Sequence, residues 1–102
     1  MNVLWEMRIE PGDIIEGLDA YKGMRLRVLS TNDDGFKAMQ ESTSDRSREH
    51  SESVLKHRPD DSLHASMRAA AKRDLEPHEV EREWLWIENW VAKGFARVVK
   101  KP

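Results

Sequence analysis

The residue types that carry most enzyme chemistry are present, but their spacing does not bring them together. Two carboxylate pairs, Asp33-Asp34 and Asp60-Asp61, have the composition of a general acid–base couple. Adjacent residues in a turn or helix cap point apart, however, and turn and capping chemistry already accounts for both pairs. His50, His57 and His64 recur seven apart, which would align them on a continuous helix, and His78 follows. Pro59 interrupts any such helix, so no local geometry draws the histidines to a metal. There is no Gly-x-Ser-x-Gly elbow and no glycine-rich phosphate cradle, because the five glycines are scattered singly. The chain has no cysteine, which removes thiolate nucleophiles, disulfides and zinc ribbons. No catalytic residue, metal or cofactor is therefore assigned, and a small hydrolase ranks third among the functional readings.

Recognition chemistry is better represented. Trp84, Trp86 and Trp90 crowd into a few residues near the C-terminal end. If they share a helix with Val80, a helical wheel groups Val80, Trp84, Ile87 and Val91 into one narrow seam. Trp86 and Trp90 extend that arc on one side, with Glu83 intruding between them and Ile87, while Leu85 and Ala92 fall on the far side. Tryptophan is enriched at interface hot spots. Trp86, Trp90 and Glu83 are thus the candidate partner-binding residues, either for another protein or for a second copy. In the competing reading, the tryptophans simply cover the core.

A nucleic-acid reading rests on local positive charge at Arg25, Arg27, Arg46 and Arg48. It must overcome the overall balance, 17 basic against 19 acidic residues for a formal net charge of −2. Acidic neighbours flank the basic clusters, and no aromatic residues are interleaved with them as a stacking platform.

The elements that must position these residues follow from periodicity. Asn2 to Ile9 alternates as a strand, Pro11-Gly12 breaks it, and Asp13 to Glu16 reads as a short second strand. Met24 to Ser30 is the clearest strand, with Met24, Leu26 and Val28 on one face and Arg25 and Arg27 on the other. A turn-rich Thr31–Gly35 stretch then predicts a hairpin into Phe36–Met39, with Gly35 supplying a positive φ. Gln40 to Ser53 holds no apolar residue over fourteen positions and is predicted to be a flexible polar loop. Val54-Leu55 touches the core as a brief strand. A helix starting at Asp60-Asp61-Ser62 turns Leu63, Met67, Ala70 and Ala71 inward. A second helix runs from about Pro77 to Lys93 and stops at Gly94, and Phe95 to Lys100 forms a last strand.

The run Pro11-Gly12-Asp13-Ile14-Ile15, then a glycine, the Met24–Val28 strand and a hairpin, resembles small SH3-like barrels. The fold class predicted is α+β: a small bent antiparallel sheet or SH3-like half-barrel with one or two helices packed on it. At 102 residues this is a single domain. Hydrophobic residues make up 38% against a usual ~45–50%, so part of the chain is expected to lie outside the core. No secretory leader is read at the N-terminus, no apolar run suits a membrane, and a cytoplasmic location follows. The function expected is a non-catalytic module recognising another protein, in the manner of bacterial or phage accessory inhibitors and regulators. Homodimerisation through the Trp86/Trp90 flank is a further expectation, and nucleic-acid binding is the alternative.

Overall fold

The computed structural model of the chain describes residues 9–101. Five strands form one antiparallel sheet: β1 (Ile14–Gly17), β2 (Arg25–Thr31), β3 (Gly35–Ser42), β4 (His78–Glu83) and β5 (Ala96–Val99). Their spatial order is β4-β3-β2-β1-β5, an open α+β arrangement in which the last strand returns to pair with the first. Three helices interrupt the sheet, α1 (Asp45–His57), α2 (Ala65–Leu75) and α3 (Trp84–Ala92), with a 3-10 turn at Asp19–Tyr21. The predicted strand over Asn2–Ile9 lies outside the described residues except for Ile9, which is buried.

Alternation builds the core face. The register aligns Val98, Ile15, Leu26, Gln40 and His78 in one row across the sheet, and Val28, Ala38 and Val80 in another. Ile15, Leu26, Val28, Phe36, Ala38 and Ala96 are buried, and α3 closes over them with Trp84 and Ile87. Each large apolar side chain so removed from water contributes about 1.5–3 kcal/mol. Register shifts between Arg25 and Leu26, and between Val28 and Ser30, mark irregular pairing of β2 with β3, the kind of extra residue that bends and twists a strand.

Four expectations need correction. The helix expected over Pro77–Lys93 begins only at Trp84, because residues 78–83 are strand β4. His78, Val80 and Arg82 alternate with exposed Glu79, Glu81 and Glu83, a period of two that suits the free edge of β3. Val80 still packs against the core with Trp84, Ile87 and Val91, but it does so from a strand.

The predicted loop over Gln40–Ser53 is strand as far as Ser42 and helix from Asp45. Ser44 caps that helix by accepting from the Ser47 amide (3.2 Å), Asp45 stands in its first turn, and Lys56 and His57 in its last. Polar capping and a partner helix supply the order that apolar residues do not. Val54 and Leu55 accordingly belong to α1, not to a strand.

Gly35 has no positive φ; the positive-φ glycines among the described residues are Gly12, Gly23 and Gly94. Glycine is required there because a Cβ would fall 2.0 Å from the Arg82 carbonyl oxygen of the neighbouring strand.

The helix read from Asp60 starts at Ala65, and of its expected inward stripe only Ala71 is buried. Leu63 is 84% exposed and Met67 46% exposed. Helices α1 and α2 form an antiparallel hairpin that projects from the sheet as an arm. The molecule accordingly measures 47 × 25 × 25 Å, with a radius of gyration of 15.3 Å against about 13 Å for a compact domain of this length.

Candidate functional site

Long-range contacts set the start of α3, and local sequence sets its end. Strand β4 delivers the chain at Trp84, whose amide donates to Asp34 O and whose indole Nε1 donates to Asn32 O (3.1 Å). The helix is thereby tied to the β2–β3 turn. At the other end, Gly94 adopts φ +75°, its amide donates to Val91 O, and the Phe95 amide reaches back to Trp90 O (2.8 Å). That pair of bonds is a Schellman cap, and Phe95 packs edge-on against Trp90 at 6.0 Å, the apolar contact that accompanies it.

Within α3, Trp84 and Ile87 enter the core while Leu85, Glu88, Asn89 and Ala92 face solvent. Trp86 and Trp90 are half-buried and lie against the core's edge. Their rings meet at 4.7 Å, and Trp90 meets Tyr21 at 4.3 Å. Phe36 continues the row on one side, 6.3 Å from Trp86, and Phe95 on the other, 5.2 Å from Tyr21. The guanidinium of Arg82 stands 5.4 Å over the Trp86 ring, within cation–π range.

Tyr21, Trp86 and Trp90 form one wall of a pocket of about 210 Å³ where the sheet, α3 and the root of the arm converge. Met24 and Leu26 add to its apolar lining, and Gln40, Ser44, Asp74 and Arg82 give it a polar side. A volume of this size takes one large side chain rather than a cofactor, whose pockets run to about 300–1,000 Å³. Arg82 points to the core side of β4, yet it forms no ion pair among the described residues. Asp74 accepts a hydrogen bond from Ser51 Oγ (2.8 Å), which holds its carboxylate at the pocket's edge.

The expected trio of Trp86, Trp90 and Glu83 is split. Glu83 ends β4 as the residue before the helix, without capping it, and lines a separate depression with Asp34, Phe36 and Lys37. The pocket residues Tyr21 and Arg82 have no sequence signal of their own: Tyr21 comes from a 3-10 turn more than sixty residues upstream of the tryptophans, and Arg82 stands on a strand where a helix is expected.

The basic candidates also separate. Arg25 and Arg27 lie on the sheet's outer face, where both donate to Glu41 (3.0 and 3.1 Å). Arg97 donates to Glu16 (2.8 Å), and Arg25 stands 3.8 Å from the same carboxylate. The result is a charge ladder over four strands rather than a bare positive patch. The Arg27 and Arg25 guanidiniums hold the Glu41 carboxyl below its ordinary range. Glu41 reaches both arginines because it is the unmatched residue between Gln40 and Ser42 in the β2–β3 register. Arg46 and Arg48 stand on α1 instead, exposed, with Arg48 paired to Asp45 (3.0 Å).

The histidines do not converge on one site. His50 and His57 are exposed on α1, while His64 pairs with Asp61 (2.8 Å) at the entry to α2. That contact lowers the Asp61 carboxyl. No group of three or more potential metal ligands occurs among the described residues. One carboxylate is fully buried: Asp13 has no exposed surface and accepts from the Glu10 amide (2.9 Å), the Lys101 amide (3.2 Å) and the Lys100 ammonium. Burial pushes its carboxyl upward, but the Lys100 ammonium and the two amides outweigh that and leave it lowered. Its role is to clamp the Pro11-Gly12 turn to the chain after β5.

Comparison with protein-family models, with curated proteins and with solved structures finds no match to the chain. No helix among the described residues is long and apolar enough to cross a membrane.

Proposed function

We propose that the chain is a non-catalytic recognition module that binds another protein, with the aromatic pocket beside α3 receiving a side chain of that partner. The observation carrying this reading is the half-buried Tyr21–Trp90–Trp86 wall facing Arg82, a guanidinium held over an indole without a carboxylate partner among the described residues. Rigid aromatic rings and arginine are the residue types that dominate interface energetics. Arg82, already oriented by its stack on Trp86, is suited to an acidic or C-terminal carboxylate on the partner. A role as an accessory inhibitor or regulator fits a domain of this size whose sequence carries no recognised catalytic motif.

The nucleic-acid alternative has weaker support, since Glu16 and Glu41 neutralise much of the Arg25, Arg27 and Arg97 face and Arg46 and Arg48 stand on another element. Affinity purification from the native host, comparing the native chain with Arg82→Ala and Trp86→Ala, separates the two. The expected result is one stoichiometric protein retained by the native chain and lost by both variants, with unchanged circular dichroism. Retention by both variants would move the contact elsewhere, and co-purified nucleic acid would favour the alternative.

A further inference from the structure

Strand β4 leaves a regular row of backbone groups open along one side. It is an end strand of the sheet, and its pairing with β3 runs through six consecutive residues without a register shift. The Trp84 amide donates to Asp34 O (3.2 Å), so the hydrogen-bonded pairs that follow in alternation are Arg82 with Phe36, Val80 with Ala38, and His78 with Gln40. The amides of Glu79, Glu81 and Glu83 and the carbonyls of Glu79 and Glu81 therefore point away from β3. Among the described residues, the one partner of these groups is the Arg82 guanidinium, which donates to Glu81 O (2.8 Å). An open edge is a template for another strand unless a bulge, a proline or a covering element blunts it. Strand β4 has no bulge, Pro77 precedes it, and no element among the described residues lies beyond it.

We propose that this edge binds a partner protein by strand addition, and that the added segment is extended and carries lysine or arginine at every second position. The side chains of Glu79, Glu81 and Glu83 stand exposed on the sheet's outer face, two residues apart. Glu81 has a cation beside it, Lys37 at 4.0 Å, while Glu79 and Glu83 are in no ion pair among the described residues. Where the strand ends, Glu81 and Glu83 share with Asp34 a depression of about 540 Å³, in which three carboxylates meet only Lys37 and Arg82. That space admits a long basic side chain. An added strand sets alternate side chains opposite the glutamates, with Cβ atoms about 4.5–5.5 Å apart, where opposite charges attract and like charges repel. The same rule excludes a second copy. Two β4 edges pair only through the residues whose backbone groups face outward, which would set glutamate against glutamate. The intervening positions of the added strand fall beside Val80, half-buried on the core side, and suit apolar residues. This mode of binding rests on the reading of the chain as a protein-recognition module, and it uses a surface other than the aromatic pocket.

The probe is the peptide Thr-Lys-Val-Lys-Val-Lys-Thr, acetylated and amidated so that it brings no terminal carboxylate to Arg82. Titrated into the full chain, it is expected to slow hydrogen exchange at the Glu79, Glu81 and Glu83 amides. The same peptide with glutamine for lysine is expected to bind about tenfold more weakly at low salt, the gap narrowing as salt rises. Glu81→Pro removes an amide that β3 does not use, so circular dichroism is expected to stay unchanged while the peptide is lost. Glu79→Lys/Glu83→Lys is expected to lose the lysine peptide and to accept one with glutamate in place of lysine, which keeps a readout should Glu81→Pro fail to fold. No binding at low salt overturns the proposal. So does binding without protection of those three amides, or binding unchanged in Glu79→Lys/Glu83→Lys. Arg82→Ala and Trp86→Ala, which test the pocket, are expected to keep the peptide. A partner protein lost by those two variants, beside a peptide the native chain never binds, would sink the edge and leave the pocket standing. A bound peptide beside a partner indifferent to both variants would do the reverse.

Discussion

The sheet body and the helical arm are held together in different ways. In the body, Ile9, Ile15, Leu26, Val28, Phe36, Ala38, Trp84, Ile87 and Ala96 form one buried cluster. In the arm, Val54 and Ala71 are the buried apolar side chains, and polar contacts join the two helices: Ser51 to Asp74, and Arg68 donating to the carbonyls of Leu55 (3.0 Å) and Arg58 (2.7 Å). Apolar burial is additive in area and insensitive to small displacements, whereas a net hydrogen bond adds only about 0.5–1.5 kcal/mol. The body is thus expected to be the stable scaffold, and the arm the region that opens at lower free energy.

The contrast can be broken most directly in the core. Ile87→Ala should cost about 2–5 kcal/mol and lower the midpoint of global unfolding in denaturant. The equivalent cut in the arm, Val54→Ala, should leave that midpoint nearly unchanged and instead speed amide exchange across residues 45–75. A shared loss of protection over both regions in Val54→Ala would show that arm and body unfold as one unit.

Asp13 gives the next largest effect. Removing its carboxylate takes away the acceptor of the Glu10 and Lys101 amides and one ion-pair partner of Lys100, and Asp13→Ala should cost about 1–3 kcal/mol by thermal melting. Because its carboxyl is lowered in the folded state, its stabilisation is fully present above the unfolded value of about 3.9 and is lost as pH falls through the lower folded value. Acid titration of the native chain should therefore show a loss of stability below about pH 4 that Asp13→Asn reduces.

Smaller effects sharpen the comparison. Gly94→Ala puts a side chain on a backbone at φ +75° with open space around it, so the cost is conformational alone, about 1 kcal/mol, read in the body's melting temperature. Ser51→Ala should cost the arm about 1 kcal/mol, visible only in local exchange. Glu41→Gln, on the exposed charge ladder, should change stability by less than about 1 kcal/mol, with the difference vanishing in high salt.

Much of the body was legible from local pattern. The β2–β3 hairpin, the short β1, the return strand β5 and the helix stop at Gly94 all follow from alternation or turn chemistry within a few residues. The arm was not, because residues 45–53 lack any apolar residue and owe their order to a cap at Ser44 and to a helix twenty residues later, while residues 40–42 are ordered by pairing in the sheet. Segment 78–83 carried two compatible readings. Its Pro77 and acidic residues suit a helix start, and its alternation suits a strand; the vacant edge of β3 decided between them by offering six backbone partners. In the pocket, Trp86 and Trp90 could be picked out by type, but Tyr21, Arg82 and Asp74 could not.

By itself, the sequence determined an α+β domain with a tryptophan-rich helix near its C-terminal end, because strand alternation and glycine conformation are properties of neighbouring residues. Tertiary structure decided where that helix begins, that Trp86 and Trp90 are half-buried against Tyr21 rather than standing as a ridge, and that Leu63 and Met67 face water. Those outcomes depend on which surfaces meet across long sequence separations. A side chain's periodicity names a face, and only packing says what that face is turned toward.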